Sequence, residues 1–60
     1  MLLRVLYRDG EQDDFKLRCS RKTQYKHFAF SAGVLSIEDR KNSTTYHIPM
    51  DTIMKVEIFW

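Results

Sequence analysis

The feature that most constrains this chain is the period-two alternation of apolar residues, which is clearest in its C-terminal part. Apolar and polar residues alternate over 44–48, which predicts a half-buried strand. Pro49 ends this strand because it has no amide hydrogen to donate and fixes its own φ. Asp51 favours a single helical turn, since its side chain can accept backbone hydrogen bonds. Alternation returns over 54–60, so the pattern predicts a strand, one helical turn and a last strand.

The same alternation predicts four further strands upstream. They cover residues 2–8, 15–19, 25–31 and 34–39. Asp9-Gly10 and Ala32-Gly33 are turn signals, and the polar run 40–43 is the next turn. The polar stretch from Ser20 to Gln24 is expected to form a loop between the second and third strands.

The register of the first hairpin follows from requiring apolar residues to face each other. A two-residue loop at Asp9-Gly10 would put Phe15 opposite Arg4. A loop that is one residue longer puts Val5 opposite Phe15, and by the same register it puts Leu3 opposite Leu17. The sequence therefore predicts a three-residue or bulged turn.

The two later hairpins predict one shared apolar face. A two-residue turn at 32–33 and the turn at 40–43 give the opposed pairs Phe28–Ile37, Phe30–Leu35, Ile37–Tyr46 and Leu35–Ile48. Agreement between successive hairpins is typical of a sequence that specifies one fold. The predicted core comprises Leu3, Val5, Phe15, Leu17, Phe28, Phe30, Leu35, Ile37, Tyr46, Ile48, Ile53, Val56 and Ile58, with Trp60 near its rim.

With 60 residues, of which 43% are hydrophobic, residues 1–60 are expected to form one small all-β domain. No helix is long enough to cover the apolar face, so the sheet should bend and its last strand should pair with its first. The predicted fold is a strongly bent antiparallel meander or small barrel of five to six strands, with one helical turn before the last strand.

The chain carries a resemblance at the level of the fold. Five or six short strands with a one-turn break before the last resemble small SH3-like and Sm-like barrels. The opening Tyr7-Arg8-Asp9-Gly10 and the ending Ile48-Pro49 with Ile53 and Val56-Glu57-Ile58 are similar to small uncharacterised proteins of Gram-positive bacteria and their phages. The resemblance implies a barrel and an origin in a phage or mobile element. It implies no function, because the ligand-contacting motifs of SH3 and Sm proteins are not seen.

Composition argues against several classes of function. A net charge of +2 is too small to indicate nucleic-acid binding by itself. The single cysteine, Cys19, cannot form an internal disulfide, and a reducing, cytoplasmic location is expected. The N-terminal apolar run is interrupted by Arg4 and Arg8, so neither a signal peptide nor a membrane span is expected.

No catalytic or metal-binding constellation is recognisable. The acidic residues Asp9, Glu11, Asp13 and Asp14 lack the spacing of a calcium loop and are expected to be solvated. His27 and His47 fall at outward strand positions with no partner that would make either a general base. Cys19 is expected to be a small buried apolar group. The sequence thus predicts a protein that is not an enzyme and uses no cofactor or metal.

A basic segment in the middle of the chain has two interpretations. Its residues are Lys16, Arg18, Arg21, Lys22, Tyr25 and Lys26, with no acidic residue among them. Cations beside an exposed aromatic ring are typical of proteins that bind single-stranded nucleic acid. Alternation with core residues equally explains Lys16 and Arg18 as a solvated strand face, and charges on edge strands prevent unwanted pairing.

Three apolar residues are predicted to lie on the outer face. Leu2 and Leu6 face away from Leu3 and Val5, and Phe59 faces away from the core in the last strand. If the last strand pairs with the first, the three side chains lie close together, and contiguous exposed apolar groups mark interaction surfaces. The leading hypothesis is a non-catalytic module that binds a protein partner or itself through Leu2, Leu6 and Phe59. The alternative is weak, sequence-tolerant binding of single-stranded nucleic acid by the basic segment.

Overall fold

The computed structural model describes the whole chain, residues 1–60. It contains six β-strands and two single 3₁₀ turns. The strands are β1 (Leu2–Tyr7), β2 (Gln12–Lys16), β3 (Phe28–Ser31), β4 (Val34–Asp39), β5 (Thr44–Pro49) and β6 (Ile53–Phe59). The 3₁₀ turns span Gln24–Lys26, before β3, and Met50–Thr52, between β5 and β6.

The strands form two three-stranded antiparallel sheets with the orders β2-β1-β6 and β3-β4-β5. The all-β class, the six strands, the turn before the last strand and the pairing of the last strand with the first are confirmed. Closure into a barrel is not confirmed, because the two sheets stay separate and leave β2, β6, β3 and β5 as edge strands.

The first hairpin has a different register from the predicted one. Leu3 lies opposite Phe15, and Val5 lies opposite Asp13. The loop does contain three residues, but they are 8–10, and Tyr7 donates its backbone N–H to the carbonyl of Glu11 at 2.9 Å. The predicted register is thus wrong by two residues. A shift of two keeps each side chain on its face, so the predicted inward positions are preserved.

The second and third strands also begin at other residues than predicted. β2 begins at Gln12 and ends at Lys16, so Leu17 and Cys19 follow the strand. Residues 25–27 precede β3 because Ser20 and Thr23 build local turns: the backbone N–H of Ser20 donates to Thr23 Oγ1 at 3.0 Å. Hydroxyl groups that bond nearby backbone in this way compete with strand pairing.

The two later hairpins have the predicted registers. Ser31 pairs with Val34 around a two-residue turn, and both turn residues have positive φ, Ala32 at 52° and Gly33 at 74°. Positive φ at both positions is the geometry of the type I′ turn, whose twist matches that of paired strands. In the next hairpin, Asp39 Oδ1 accepts the backbone N–H of Asn42 at 3.3 Å and so stabilises the loop.

The turn before β6 is stabilised differently from the expectation. The Asp51 side chain makes no cap; instead Thr52 Oγ1 donates to the carbonyl of Pro49 at 2.7 Å. The carbonyl of Asp51 accepts from Arg8 Nε at 2.9 Å, which ties the turn to the first hairpin.

The core lies between the two sheets and is small. Seven residues are buried, all of them predicted: Leu3, Val5, Leu17, Phe28, Leu35, Ile37 and Ile53. Phe15, Ile48 and Val56 are half-buried against them. Three other predicted core residues are exposed: Phe30 by 49%, Tyr46 by 36% and Ile58 by 38%. All three lie on edge strands, where an inward side chain has a neighbouring strand on one side only.

Candidate interaction surface

The outer face of the β2-β1-β6 sheet carries the three predicted apolar residues. Leu2 pairs with Phe59 across β1 and β6, whereas Leu6 pairs with Lys55. Arg4 lies between Leu2 and Leu6 on the same face of β1. The structure thus brings Leu2 and Phe59 together and places Leu6 at the other end of the strand, beyond a charged residue.

Arg4 is the centre of this face. Its Nε donates to Asp14 Oδ1 at 3.0 Å and its Nη2 donates to Asp14 Oδ2 at 3.2 Å, a two-point ion pair between β1 and β2. The guanidinium also lies 5.3 Å from the centre of the Phe59 ring, within the range of a cation–π interaction. Arg4 therefore links a charged neighbour on one side to an aromatic neighbour on the other.

The ion pair shifts both ionisation equilibria. The hydrogen bonds from Arg4 lower the pKa of Asp14, and those to Asp14 raise the pKa of Arg4. Glu57, opposite Arg4 on β6, acts on Arg4 in the same direction. The face thus carries a row of acidic, basic and acidic side chains, Asp14, Arg4 and Glu57, running across three strands.

A second polar contact lies near the start of the β2 edge. Tyr7 Oη donates to Asp13 Oδ2 at 2.8 Å. Burial, followed by this hydrogen bond, raises the pKa of Tyr7 to about 12. Asp9 also has a structural role, because its Oδ1 accepts the backbone N–H of Glu11 at 2.9 Å in the loop. Three of the four clustered acidic residues thus accept hydrogen bonds from this chain, and no group of three or more His, Cys, Asp or Glu residues is placed to hold a metal.

β6 is the longest strand and has an unpaired edge. Met54 is 62% exposed, and Ile58, Phe59 and Trp60 are also exposed. Neither proline nor glycine interrupts the strand, and its pairing with β1 is regular from Lys55 to Phe59, beyond a β-bulge at Met54. A long, apolar edge with free backbone donors and acceptors is a template for pairing with another strand. The sequence contained this signal, since the last period-two pattern ends in Ile58-Phe59-Trp60.

A groove of about 1040 Å³ opens beside the outer face, where the ends of β1, β2 and β6 approach the loop after β4. It is lined by the basic residues Lys16, Arg18, Arg40 and Lys41, by His27, by the acidic Glu38 and Asp39, and by Met1, Leu2, Leu17, Phe59 and Trp60. Arg40 Nε is paired with Glu38 Oε1 at 3.2 Å. Basic side chains thus outnumber acidic ones around two exposed aromatic rings.

The structure divides the predicted basic segment. Lys16 and Arg18 line the groove, and Arg21 lies 5.3 Å from the Trp60 ring, close to its rim. Lys22 is exposed outside it. Tyr25, 69% exposed, and Lys26 lie on the first 3₁₀ turn, where the ammonium group is 5.8 Å from the Tyr25 ring. The sequence prediction of a basic segment did not include Arg40, Lys41 or Trp60. The adjacent basic residues Arg40 and Lys41 in the turn after β4 were the sequence feature that could have indicated them.

The histidines and the cysteine are apart from one another. His27 is half-buried in the groove wall, whereas His47 is exposed on β5 with its Nδ1 3.2 Å from Ser36 Oγ. Cys19 is half-buried against the core. The structure contains no helix with the length and apolar character needed to cross a membrane.

Comparison with known proteins gives no assignment: no family model matches the chain, and no similar protein is found among curated proteins or solved structures.

Proposed function

We propose that this protein is a non-enzymatic, cytoplasmic β-domain that acts as an interaction module, associating with a protein partner or with itself. The contact surface is the outer face of the β2-β1-β6 sheet around Leu2, Leu6 and Phe59, together with the free edge of β6. The resemblance to small proteins of Gram-positive bacteria and their phages supports an origin in a phage or mobile element.

The observation that carries the proposal is the exposed apolar surface along β6. Phe59 is 43% exposed next to Leu2, Met54 and Ile58 are exposed on the same strand, and Trp60 is exposed directly after its end. Isolated exposed apolar residues are normal in small proteins, but several along one edge strand form a surface that gains from being covered. The free backbone groups of the edge add directional hydrogen bonds to that gain.

Self-association is tested by sedimentation equilibrium over a wide concentration range. Wild type should show a reversible dimer, and Phe59→Glu should weaken it because a charge would enter the contact. Thr45→Glu on the exposed part of β5 is the matched control, since the same charge is added to the other sheet. A protein that remains monomeric at every concentration, or a dimer weakened equally by both variants, would contradict association through this surface.

The groove favours a second candidate function, binding of single-stranded nucleic acid. Four basic side chains and the exposed Trp60 ring provide contacts for phosphates and a surface for base stacking. Binding of fluorescent oligonucleotides should weaken steeply as salt rises. A Lys16→Gln/Lys41→Gln variant should bind more weakly, whereas Lys22→Gln, outside the groove, should bind nearly as wild type. A flat isotherm at low salt would eliminate this candidate.

A further inference from the structure

The four edge strands differ in how well they could pair with another strand. β2 consists mostly of charged and amide side chains, β3 has only four residues, and β5 ends in Pro49. Charges, short length and proline are features that discourage edge pairing. β6 has seven residues and carries only two charges, Lys55 and Glu57, both on its outer face. It is therefore the edge best suited to accept a further strand.

The charges on β6 belong to a row that stops at the free edge. Asp14 pairs with Arg4, and Arg4 pairs with Glu57, so negative, positive and negative side chains alternate from β2 to β6. Continuing the alternation beyond Glu57 requires a positive side chain on the next strand, directly opposite it. A second copy of β6 supplies such a residue, Lys55, two positions from its own Glu57.

Two-fold symmetry restricts how two copies of β6 can pair. In a symmetric antiparallel pair, one residue lies opposite itself, and the residues on either side of it lie opposite each other. If Val56 is that central residue, Lys55 of each copy lies opposite Glu57 of the partner subunit. If Lys55 or Glu57 is central, it faces its own copy, and directly opposed like charges are destabilising. Charge therefore selects the register centred on Val56 over both neighbouring ones.

The apolar residues agree with this register. Centring on Val56 brings Met54, the residue at the β-bulge between the pairs Leu6–Lys55 and Tyr7–Ile53, next to Ile58 of the partner subunit. Met54 and Ile58 are both exposed in the single chain, by 62% and 38%. The pairing would thus cover two exposed apolar side chains on each copy, and it would continue the row Asp14, Arg4, Glu57 with Lys55 of the partner subunit.

We infer that two copies of this chain dimerise by antiparallel pairing of β6 with β6, with the two-fold axis at Val56. The β2-β1-β6 sheet of one copy and the β2-β1-β6 sheet of the other then form one continuous six-stranded sheet across the dimer. This inference rests on the proposed self-association and specifies its geometry. Because one strand pair buries less surface than the roughly 800 Å² per partner of a standard interface, the dimer should be weak and in rapid exchange with monomer.

Charge reversal tests the register. In the Lys55→Glu dimer, the new glutamate of each copy lies opposite Glu57 of the partner subunit. In the Glu57→Lys dimer, the new lysine of each copy lies opposite Lys55 of the partner subunit. Each variant therefore has two like-charge pairs and should dimerise at least about tenfold more weakly than wild type. In an equimolar mixture, glutamates of one variant lie opposite lysines of the other at both positions. Sedimentation of the mixture should therefore recover association close to that of wild type, although each variant alone associates weakly.

Disulfide trapping provides a second test that does not depend on reversing charges next to Arg4. In a Cys19→Ala background, a mixture of Lys55→Cys and Glu57→Cys should form a crosslinked heterodimer on mild oxidation, since directly opposed residues lie within the Cα separation that a disulfide spans. Either variant alone should crosslink far less. Thr45→Cys mixed with Glu57→Cys is the control for random collisions.

The outcomes separate the geometry from the association itself. Rescue in the mixture together with selective crosslinking would support β6 pairing centred on Val56. A wild-type dimer that is indifferent to both charge reversals, or that crosslinks without selectivity, would overturn this geometry and leave the proposed self-association standing. A wild-type chain that is monomeric at all concentrations would overturn both.

Discussion

The two edges of the β2-β1-β6 sheet flank the same central strand but have opposite characters. Leu3 of β1 has Phe15 opposite it on β2 and Ile58 opposite it on β6. The Phe15 ring packs against Tyr46 of the other sheet, with 5.1 Å between ring centres, whereas Ile58 is exposed.

The remaining residues widen this difference. β2 carries carboxylates that are used within the chain, by Arg4 and by Tyr7. β6 carries three apolar residues that remain exposed, Met54, Ile58 and Phe59. One edge is thus closed by contacts with its own molecule, and the other is available to a partner. The lesson is that edge protection in a domain this small is local, and it need not extend to both sides of a sheet.

The largest expected difference is in stability. Phe15→Ala should destabilise the domain by about 2–3 kcal/mol because it removes a packed aromatic ring, whereas Ile58→Ala should cost about 1 kcal/mol or less. Both positions flank Leu3, so they form a matched pair. Thermal unfolding followed by circular dichroism at a concentration below dimerisation measures both. Equal losses would show that the two edges are equally closed.

Hydrogen exchange should also distinguish the two edges. Amides of β6 that point away from β1 should exchange rapidly in dilute protein and become protected as concentration rises, because pairing with a second strand covers them. Amides of β2 should show no such dependence on concentration. Exchange measured by NMR at two concentrations provides the comparison; protection that grows at β2 and not at β6 would reverse the assignment of the open edge.

Alkaline titration examines the closed edge. The pKa of Tyr7 is raised from 10.0 to about 12, so the native state holds this proton more tightly than the unfolded chain does. The resulting stability is complete below pH 10 and is lost as pH rises from about 10 to about 12. Tyrosinate absorbance should show a late step near pH 12, and Tyr7→Phe should remove that step. A titration curve whose late part is the same in wild type and Tyr7→Phe would contradict a protected Tyr7.

The smallest effect is expected at the ion pair of the outer face. The pKa of Asp14 is lowered by Arg4, so its contribution to stability is present at neutral pH and is lost as pH falls through this lowered value. Both side chains are about one-third exposed, and such pairs contribute little. Asp14→Asn should therefore be slightly less stable at pH 7, with a difference that shrinks in high salt and in acid. A salt-independent loss as large as that of Phe15→Ala would indicate a structural role beyond the ion pair.

The later hairpins show where sequence reasoning is sufficient. Val34–Asp39 was predicted with its observed bounds, and its registers with β3 and β5 were correct. Short turns of defined geometry set these registers, and apolar residues of neighbouring strands then agree without information from distant parts of the chain.

The first hairpin shows where it fails. The predicted register matched apolar residues only, whereas the observed one places Asp14 opposite Arg4 and Asp13 opposite Val5. Tyr7 then reaches Asp13, which is two positions along β2 from Phe15. The predicted and observed registers bury the same residues, so alternation of apolar residues does not distinguish them. The observed register also pairs Arg4 with Asp14 on the outer face, a polar contact that alternation does not reveal.

The candidate surface was predicted in part for the same reason. Alternation placed Leu2 and Phe59 outward, and the pairing of β1 with β6 made them neighbours. The groove joins Lys16 and Arg18 to Arg40 and Lys41, which are far away in the sequence. Only the packing of the two sheets brings these segments together, and no local pattern predicts that proximity.

Within the regular parts of the strands, the sequence alone determined which side chains point inward, because there the choice depends only on whether two residues are an odd or an even number of positions apart. Tertiary structure decided which inward residues are covered. Phe28 and Phe30 share a face of β3, yet Phe28 is buried and Phe30 is half exposed. Coverage requires atoms from another part of the chain, and a domain of 60 residues has too few to cover every edge.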